Sequence, residues 1–513
     1  MPAGKRLAAA AAVAAFATAT SAWAEGFPRG HRDALGPRFE AAPQLRDTAR
    51  HRPPRRGADS LERLLRWNQI AIDASGLDHT PVPPGETRVF GEQLGPGRSS
   101  RAIAIVHIAI FDAMNAIGGD YRSFTGLRSA PDDASLDAAI AQAAHDTLVA
   151  VFPSQAASFD QDLAEDLHEI RTGGRSKAQG IDVGRRAAAA ILAQRAKDGS
   201  HHPEPKVGID FFPSKAPGKW RQDPVSQIPL AMGALWGEVK PFVLRSGRQF
   251  RVPPPPAMTS PEYAAAFKEV KRLGGDGVTT PTERTEQQRL IGIYWAYDGT
   301  PSLCAPPRLY NQITVQIARE RGTKVREMAR LLALVNVAMA DAGVAIWESK
   351  YFYAFWRPVT GIREADPETG PSGGGDGNPA TVGDPKFVPL GAPASNLAGP
   401  NFTPPFPAYP SGHAGFGGAL FQILREFYGT DRIAFTFVSD ELNGETLAND
   451  GTIRPRVPRR FSSLSEAEEE NGQSRIYLGI HWSFDKTEGI AQGRRVANYV
   501  FRHLFAPTRP PHR

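Results

Sequence analysis

Cysteine is nearly absent: the 513-residue chain has one, Cys304. A single thiol cannot close an internal disulfide, and no cysteine cluster exists to ligate a metal. Cys304 reads most simply as a small buried residue. After the N-terminus no apolar run looks long enough to span a bilayer. Alternating strand patterns are scarce, and no repeat of about 20–50 residues is evident. An excess of one charge is also missing from the body of the chain. The pI of 9.3 and formal net charge of +6 invite a nucleic-acid reading. However, eight arginines against four acids fall within residues 25–58. The rest is close to neutral, which argues against a nucleic-acid partner.

The N-terminus has the form of an export signal. Lys5 and Arg6 are followed by an apolar run from Leu7 to Thr18 and by Ala22-Trp23-Ala24, an A-x-A cleavage site. Residues 1–24 are therefore expected to be a signal peptide and the protein secreted, with no integral membrane segment after cleavage. Residues 25–58 read as a flexible Arg/Pro-rich arm. Nothing in the sequence fixes an oligomeric state.

What is present is helical. With 41% hydrophobic and 22% charged residues the chain can build a large core. Apolar residues recur at three-to-four spacing through Leu61, Leu64, Leu65, Trp67 and Ile70. A very apolar helix is expected at 98–117, where His107 reads as a core histidine. Others are expected at 134–152, 155–172, 176–197, 260–273, 281–297, 306–320, 324–356, 412–428, 463–478 and 484–505. Ser260-Pro261 and Thr280-Pro281 look like a cap followed by proline at the first helical position. The fold class is all-α: antiparallel helix bundles, read as two four-helix bundles over 59–284 and 285–505 with a tail at 506–513. Residues 366–406, rich in Gly and Pro, form a loop of a length that usually serves function or is disordered.

Three segments carry chemistry. In Lys350-Tyr-Phe-Tyr-Ala-Phe-Trp-Arg357-Pro358 two cations stand seven apart. On a continuous helix that spacing places both near one face, suited to an oxyanion. Alone, it could be an ordinary solvated helix face. In Pro410-Ser411-Gly412-His413 a Ser-Gly pair opens a helical run, offering free N–H groups, a hydroxyl and the positive end of the helix dipole. The plain alternative is a helix cap. His413 lies next to that cradle, placed for proton transfer. The third segment, Ser474-Arg475 … His481 … Asp485, supplies another cation and an imidazole able to act as nucleophile or ligand. Asp485 stands four residues on and can orient the imidazole.

In this order and spacing, the three segments resemble the signature of the vanadium haloperoxidase and type-2 phosphatidic acid phosphatase superfamily, shared with bacterial non-specific acid phosphatases. Tyr294-Trp-Ala-Tyr-Asp298-Gly299, Pro306-Pro-Arg-Leu-Tyr-Asn311, Asp341-Ala-Gly343, Trp347, Pro404-Pro-Phe406-Pro-Ala-Tyr-Pro410 and Glu441-Leu-Asn-Gly444 are similar to the chloroperoxidase branch. The likeness is close over about residues 285–485 and faint before that. It implies an enzyme that oxidises chloride, bromide or iodide with hydrogen peroxide to hypohalous acid, using vanadate. Lys350, Arg357 and Arg475 would neutralise the vanadate oxygens, and Ser411 and Gly412 would complete the cradle. His481 would ligate vanadium, and His413 would be the acid–base residue. Asp298 would hold Arg475. Trp347 and Phe406 would line the halide side, where the algal bromoperoxidases carry a histidine at the position matching Phe406.

Phosphate, also a tetrahedral oxyanion, would compete for the same cradle. Two other readings follow from the shared signature. One is a secreted acid phosphatase in which His481 attacks phosphorus and His413 protonates the leaving alcohol. The other is a non-catalytic oxyanion-binding protein, disfavoured because binding alone needs no paired histidines.

Overall fold

Two helices dominate the interior. The computed structural model describes residues 30–41 and 58–508. The expected signal peptide at 1–24, the arm residues 42–57 and the end of the tail lie outside the described residues. In chain order, α1 is His31–Leu35, α2 Ser60–Asp78, α3 Gly95–Gly118, α4 Leu136–Val151, α5 Ala156–Glu169, α6 Gly174–Arg195, α7 Pro261–Leu273 and α8 Glu286–Tyr294. They continue as α9 Pro306–Glu320, α10 Val325–Tyr353, α11 Pro358–Arg363, α12 Gly412–Tyr428, α13 Leu464–Tyr477 and α14 Ser483–His503. The only strand pairs among the described residues are β1 (Glu40–Ala41) with β2 (Leu397–Ala398), and β3 (Phe435–Asn443) with β4 (Arg456–Phe461), both antiparallel. The all-α reading stands.

α3 and α10 are buried on nearly every face and pack against each other, as expected of mainly apolar helices enclosed by others. α4 and α6 cover α3, while α12 and α14 cover α10. One continuous apolar core runs through all of them. By length and composition both α3 and α10 could cross a membrane, contrary to the expectation that no later stretch could. Their most apolar windows are 89% and 94% buried, so they serve as core helices.

The closest helix pairing sets the site. A Cβ on Gly493 of α14 would lie 2.0 Å from Gly415 O of α12, and one on Gly418 would lie 2.6 Å from Ile490 O. Glycine on both faces lets the two backbones touch. This contact brings the start of α12, with Ser411 and His413, beside the start of α14, with His481 and Asp485. Ser411 N–H donates to Asp485 O at 2.9 Å.

Several expectations need correction. The helix placed at 281–297 begins at Glu286, where Thr285 and Gln288 form a reciprocal capping box. Thr280 is drawn instead into a turn in which its N–H donates to Asp276 Oδ1 at 2.7 Å. The helix placed at 324–356 ends at Tyr353, because Ala354 adopts left-handed φ 49°, ψ 40°. Lys350 and Arg357 therefore do not share a helix face. The β3–β4 hairpin was not anticipated, although Phe435, Phe437, Ser439 and Glu441 alternate inward. Finally, part of the arm read as flexible is packed. Ala34, Leu35 and Phe39 are buried, Phe39 meets Phe402 edge-on at 5.9 Å, and Glu40 and Ala41 pair with Ala398 and Leu397. The three apolar side chains in Ala34-Leu-Gly-Pro-Arg-Phe39 supply the burial that the surrounding arginines obscure.

Candidate active site

Three breaks between helices meet at one buried point. Lys350 occupies the last turn of α10, and Arg357 is the N-cap of α11, held extended by Pro358. The long irregular stretch before α12 delivers Phe406, Pro407 and Ala408. Arg475 ends α13, and His481 lies in the short link to α14. Lys350, Arg357 and Arg475 are each 1% exposed or less.

Their donors are only partly used. Lys350 Nζ donates to Pro407 O at 2.7 Å and Ala408 O at 2.9 Å. Arg357 Nε donates to Phe406 O at 2.9 Å. Its Nη1 donates to Ile480 O and to His481 Nε2, both at 2.9 Å. Arg475 Nη2 donates to both oxygens of Asp298, at 2.7 and 2.8 Å. Arg357 Nη2 and Arg475 Nε and Nη1 are buried with no partner. Three buried basic side chains face two buried carboxylates, Asp298 and Asp485, so basic groups outnumber acidic ones in the cluster. Burying that excess in charged form is costly without a counter-ion, and an oxyanion would meet both the charge and the idle donors.

Both histidines are held neutral. Burial, reinforced by the neighbouring arginines, pushes His481 and His413 well below the usual imidazole range. His481 Nδ1–H donates to Asp485 Oδ2 at 2.8 Å, which leaves Nε2 as the lone-pair nitrogen. Burial raises Asp485 to about 7. His413 Nε2–H donates to Ala296 O, so its Nδ1 is free and lies 3.9 Å from Asp298 Oδ1. Tyr310 OH and Asn471 Nδ2 donate to His413 O at 2.9 and 3.0 Å, fixing the first turn of α12. Ser411 caps that helix, its Oγ accepting from Ala414 N. Burial lowers Lys350 well below the usual lysine range and brings Arg357 down to about 9.

A cavity opens onto this cluster, and Gly412, His413, Asp298, Arg475, His481, Trp347 and Phe406 are all in its wall. Lys350, Arg357 and Ser411 stand behind that surface. Lys350 Nζ and the Arg357 guanidinium lie 5.1 and 5.0 Å from the Phe406 ring centre, and the Trp347 and Phe406 rings are 4.9 Å apart. The rest of the wall is mostly apolar: Leu35, Leu94, Ile228, Met232, Phe402, Pro404 and Pro405. All ten residues singled out in the sequence thus gather at one place. Leu35, Met232 and His79 were missed. They come from segments with no motif, and only three-dimensional packing brings them to the cavity.

Over 506 residues the chain is 32% identical to the vanadium chloroperoxidase of Curvularia inaequalis, covering 82% of this chain and 78% of the relative. The chain belongs to the vanadium-dependent haloperoxidase family. Residues 330–509 match the model of the VCPO second helical-bundle domain. Two solved structures share the haloperoxidase fold. The first bacterial vanadium-dependent iodoperoxidase has a TM-score of 0.66 at 22% identity, covering 86% of this chain and 98% of its own. A holo-type bacterial vanadium-dependent chloroperoxidase has a TM-score of 0.58 at 17% identity, covering 82% and 95%.

Proposed function

We propose that this haloperoxidase binds vanadate at the three-cation cluster and oxidises halide with hydrogen peroxide to hypohalous acid. The observation that carries the reading is the set of idle buried donors, Arg357 Nη2 and Arg475 Nε and Nη1, beside a lone-pair imidazole nitrogen on His481. A tetrahedral oxyanion with an open coordination position suits both. Lys350, Arg357, Arg475, the Ser411 hydroxyl and the Gly412 N–H would hold the oxygens, and His481 Nε2 would ligate the metal. Bound vanadate supplies a Lewis-acidic vanadium(V) centre that activates peroxide.

The chain's own groups do the rest. Asp485 keeps the His481 proton on Nδ1. Asp298 fixes Arg475, whose remaining donors then need no reorganisation when charge develops. His413 Nδ1 is the atom able to take and return a proton. Trp347 and Phe406 wall the halide side and exclude water. This apolar wall, together with the relationship to the chloroperoxidase, favours halide oxidation over phosphate-ester hydrolysis. Export through residues 1–24 belongs to the same reading, supported by the n-region, apolar run and A-x-A site.

The direct test is His481→Ala. The variant should keep its far-UV circular dichroism, lose vanadate binding by equilibrium dialysis, and fall to background halide oxidation. Near wild-type activity at saturating vanadate would overturn the assignment.

A further inference from the structure

Met232 is the most readily oxidised side chain in the cavity wall, and the proposed function places an oxidant within its reach. It lines the same cavity as His413, His481, Trp347 and Phe406. Its backbone is pinned there. Its carbonyl accepts from Trp347 Nε1 at 3.1 Å and Tyr351 OH at 2.9 Å, and its N–H donates to Pro405 O at 2.9 Å. The side chain lies along the Cα face of Gly95, where an added Cβ would come within 2.7 Å of Sδ. Cys304, the other sulfur residue nearby, is shielded: it is fully buried, with Sγ 2.9 Å from Ser75 Oγ and 3.5 Å from Ser99 Oγ. The Tyr297 and Trp347 rings share the wall but are weaker nucleophiles than a thioether toward electrophilic halogen.

We propose that Met232 is a self-modification site, converted to methionine sulfoxide by hypohalous acid formed in the cavity, and that this oxidation limits the number of turnovers. The inference rests on the halide-oxidising reading. The Met232 sulfur lone pair attacks the halogen of HOX and displaces hydroxide, giving a halosulfonium. Water then adds to sulfur as halide leaves. In total, thioether plus HOX gives sulfoxide, halide and one proton, with sulfur losing the two electrons that the halogen gains. The product puts a polar oxygen into an apolar wall beside Gly95, narrowing the cavity.

The test uses the full chain loaded with vanadate and turned over with peroxide and bromide. A dye reports hypobromite, and peptide mass spectrometry reads sulfoxide at Met232 and at Met258, which is half-buried near the surface and outside the cavity wall. One parallel sample receives the same dose of reagent hypobromite without vanadate, and another receives vanadate and peroxide without bromide. The Met232-to-Met258 sulfoxide ratio should be at least about fivefold higher during turnover than with reagent hypobromite. Met232→Leu should lose activity severalfold more slowly per turnover. Equal ratios with hypobromite present would overturn this proposal alone, as would full Met232 oxidation without bromide. No hypobromite at all would overturn the functional reading and this proposal with it.

Discussion

Phe406 is the side chain through which the proposed site would set its halide preference. Its ring stands between the cavity and two cations, Lys350 and Arg357, and packs on Trp347. It presents no hydrogen-bond donor to the site. A histidine there would add a donor and a titrating neighbour to an already cationic cluster. Chloride is harder to oxidise than bromide, so it should suffer more from any loss of electrophilicity. Phe406→His should lower the chloride-to-bromide ratio of kcat/KM by about one order of magnitude, the measure of differential transition-state stabilisation. An unchanged ratio would reduce Phe406 to packing.

His107 tests the other kind of histidine. It is 1% exposed, its Nε2–H donates to Asn68 Oδ1 at 3.0 Å, and its Nδ1 has no partner. Burial lowers its pKa from 6.5 to about 3. Between those values the unfolded chain binds the proton and the folded chain does not. The associated stability is therefore complete above pH 6.5 and is lost as pH falls toward 3. By pH 4 the loss is about 3 kcal/mol. The stability gap between wild type and His107→Gln, read by urea unfolding, should shrink by that amount from pH 7.5 to 4. A gap constant with pH would refute the neutral, buried assignment. The role of His107 was legible because it sits in an unbroken apolar run. That ten candidate residues come together was legible because motif spacing survives whatever the backbone does between them. Met232 and Leu35 had no such signal.

At the scale of elements, the helices were legible wherever periodicity and start signals agreed, as in α7 behind the cap Ser260-Pro261 and in α9, which lacks a side-chain cap but opens on Pro306. The failures had local physical causes. Thr280-Pro281 looks like a helix start, but Asp276 captures the backbone N–H groups of residues 278–280. Lys350 to Arg357 looks like two turns of helix, yet the chain turns left-handed at Ala354, and Trp356 N–H bonds Gly218 O at 3.0 Å. That break lets Arg357 reach His481 from a direction a continuous helix would deny. An alanine at φ 49° carries a left-handed penalty that glycine avoids. Allowing for the extra freedom glycine gives the unfolded chain, Ala354→Gly should stabilise the protein by about 0.5–1 kcal/mol. Denaturant melts of the two proteins decide it, and destabilisation would show that the Cβ there is needed for packing.

For the whole molecule, the glycine-faced contact of α12 and α14, braced by α10, supports the proposed anion cradle, while distant segments close the cavity over it. Leu35 from the N-terminal strap and Met232 from the 200–260 region complete a wall whose chemistry is otherwise supplied after residue 290. On the proposed reading, the surplus of buried basic groups would make the cradle an oxyanion site first, and a redox site only when that oxyanion is vanadate. The decisive measurement is bromide oxidation by the metal-free chain with peroxide, titrated with vanadate at several fixed phosphate concentrations. Hypobromite formation should be absent without vanadate, rise to saturation with it, and require proportionally more vanadate as phosphate increases, with the same plateau. Activity independent of vanadate, or a vanadate dependence that phosphate leaves unmoved, would contradict the account.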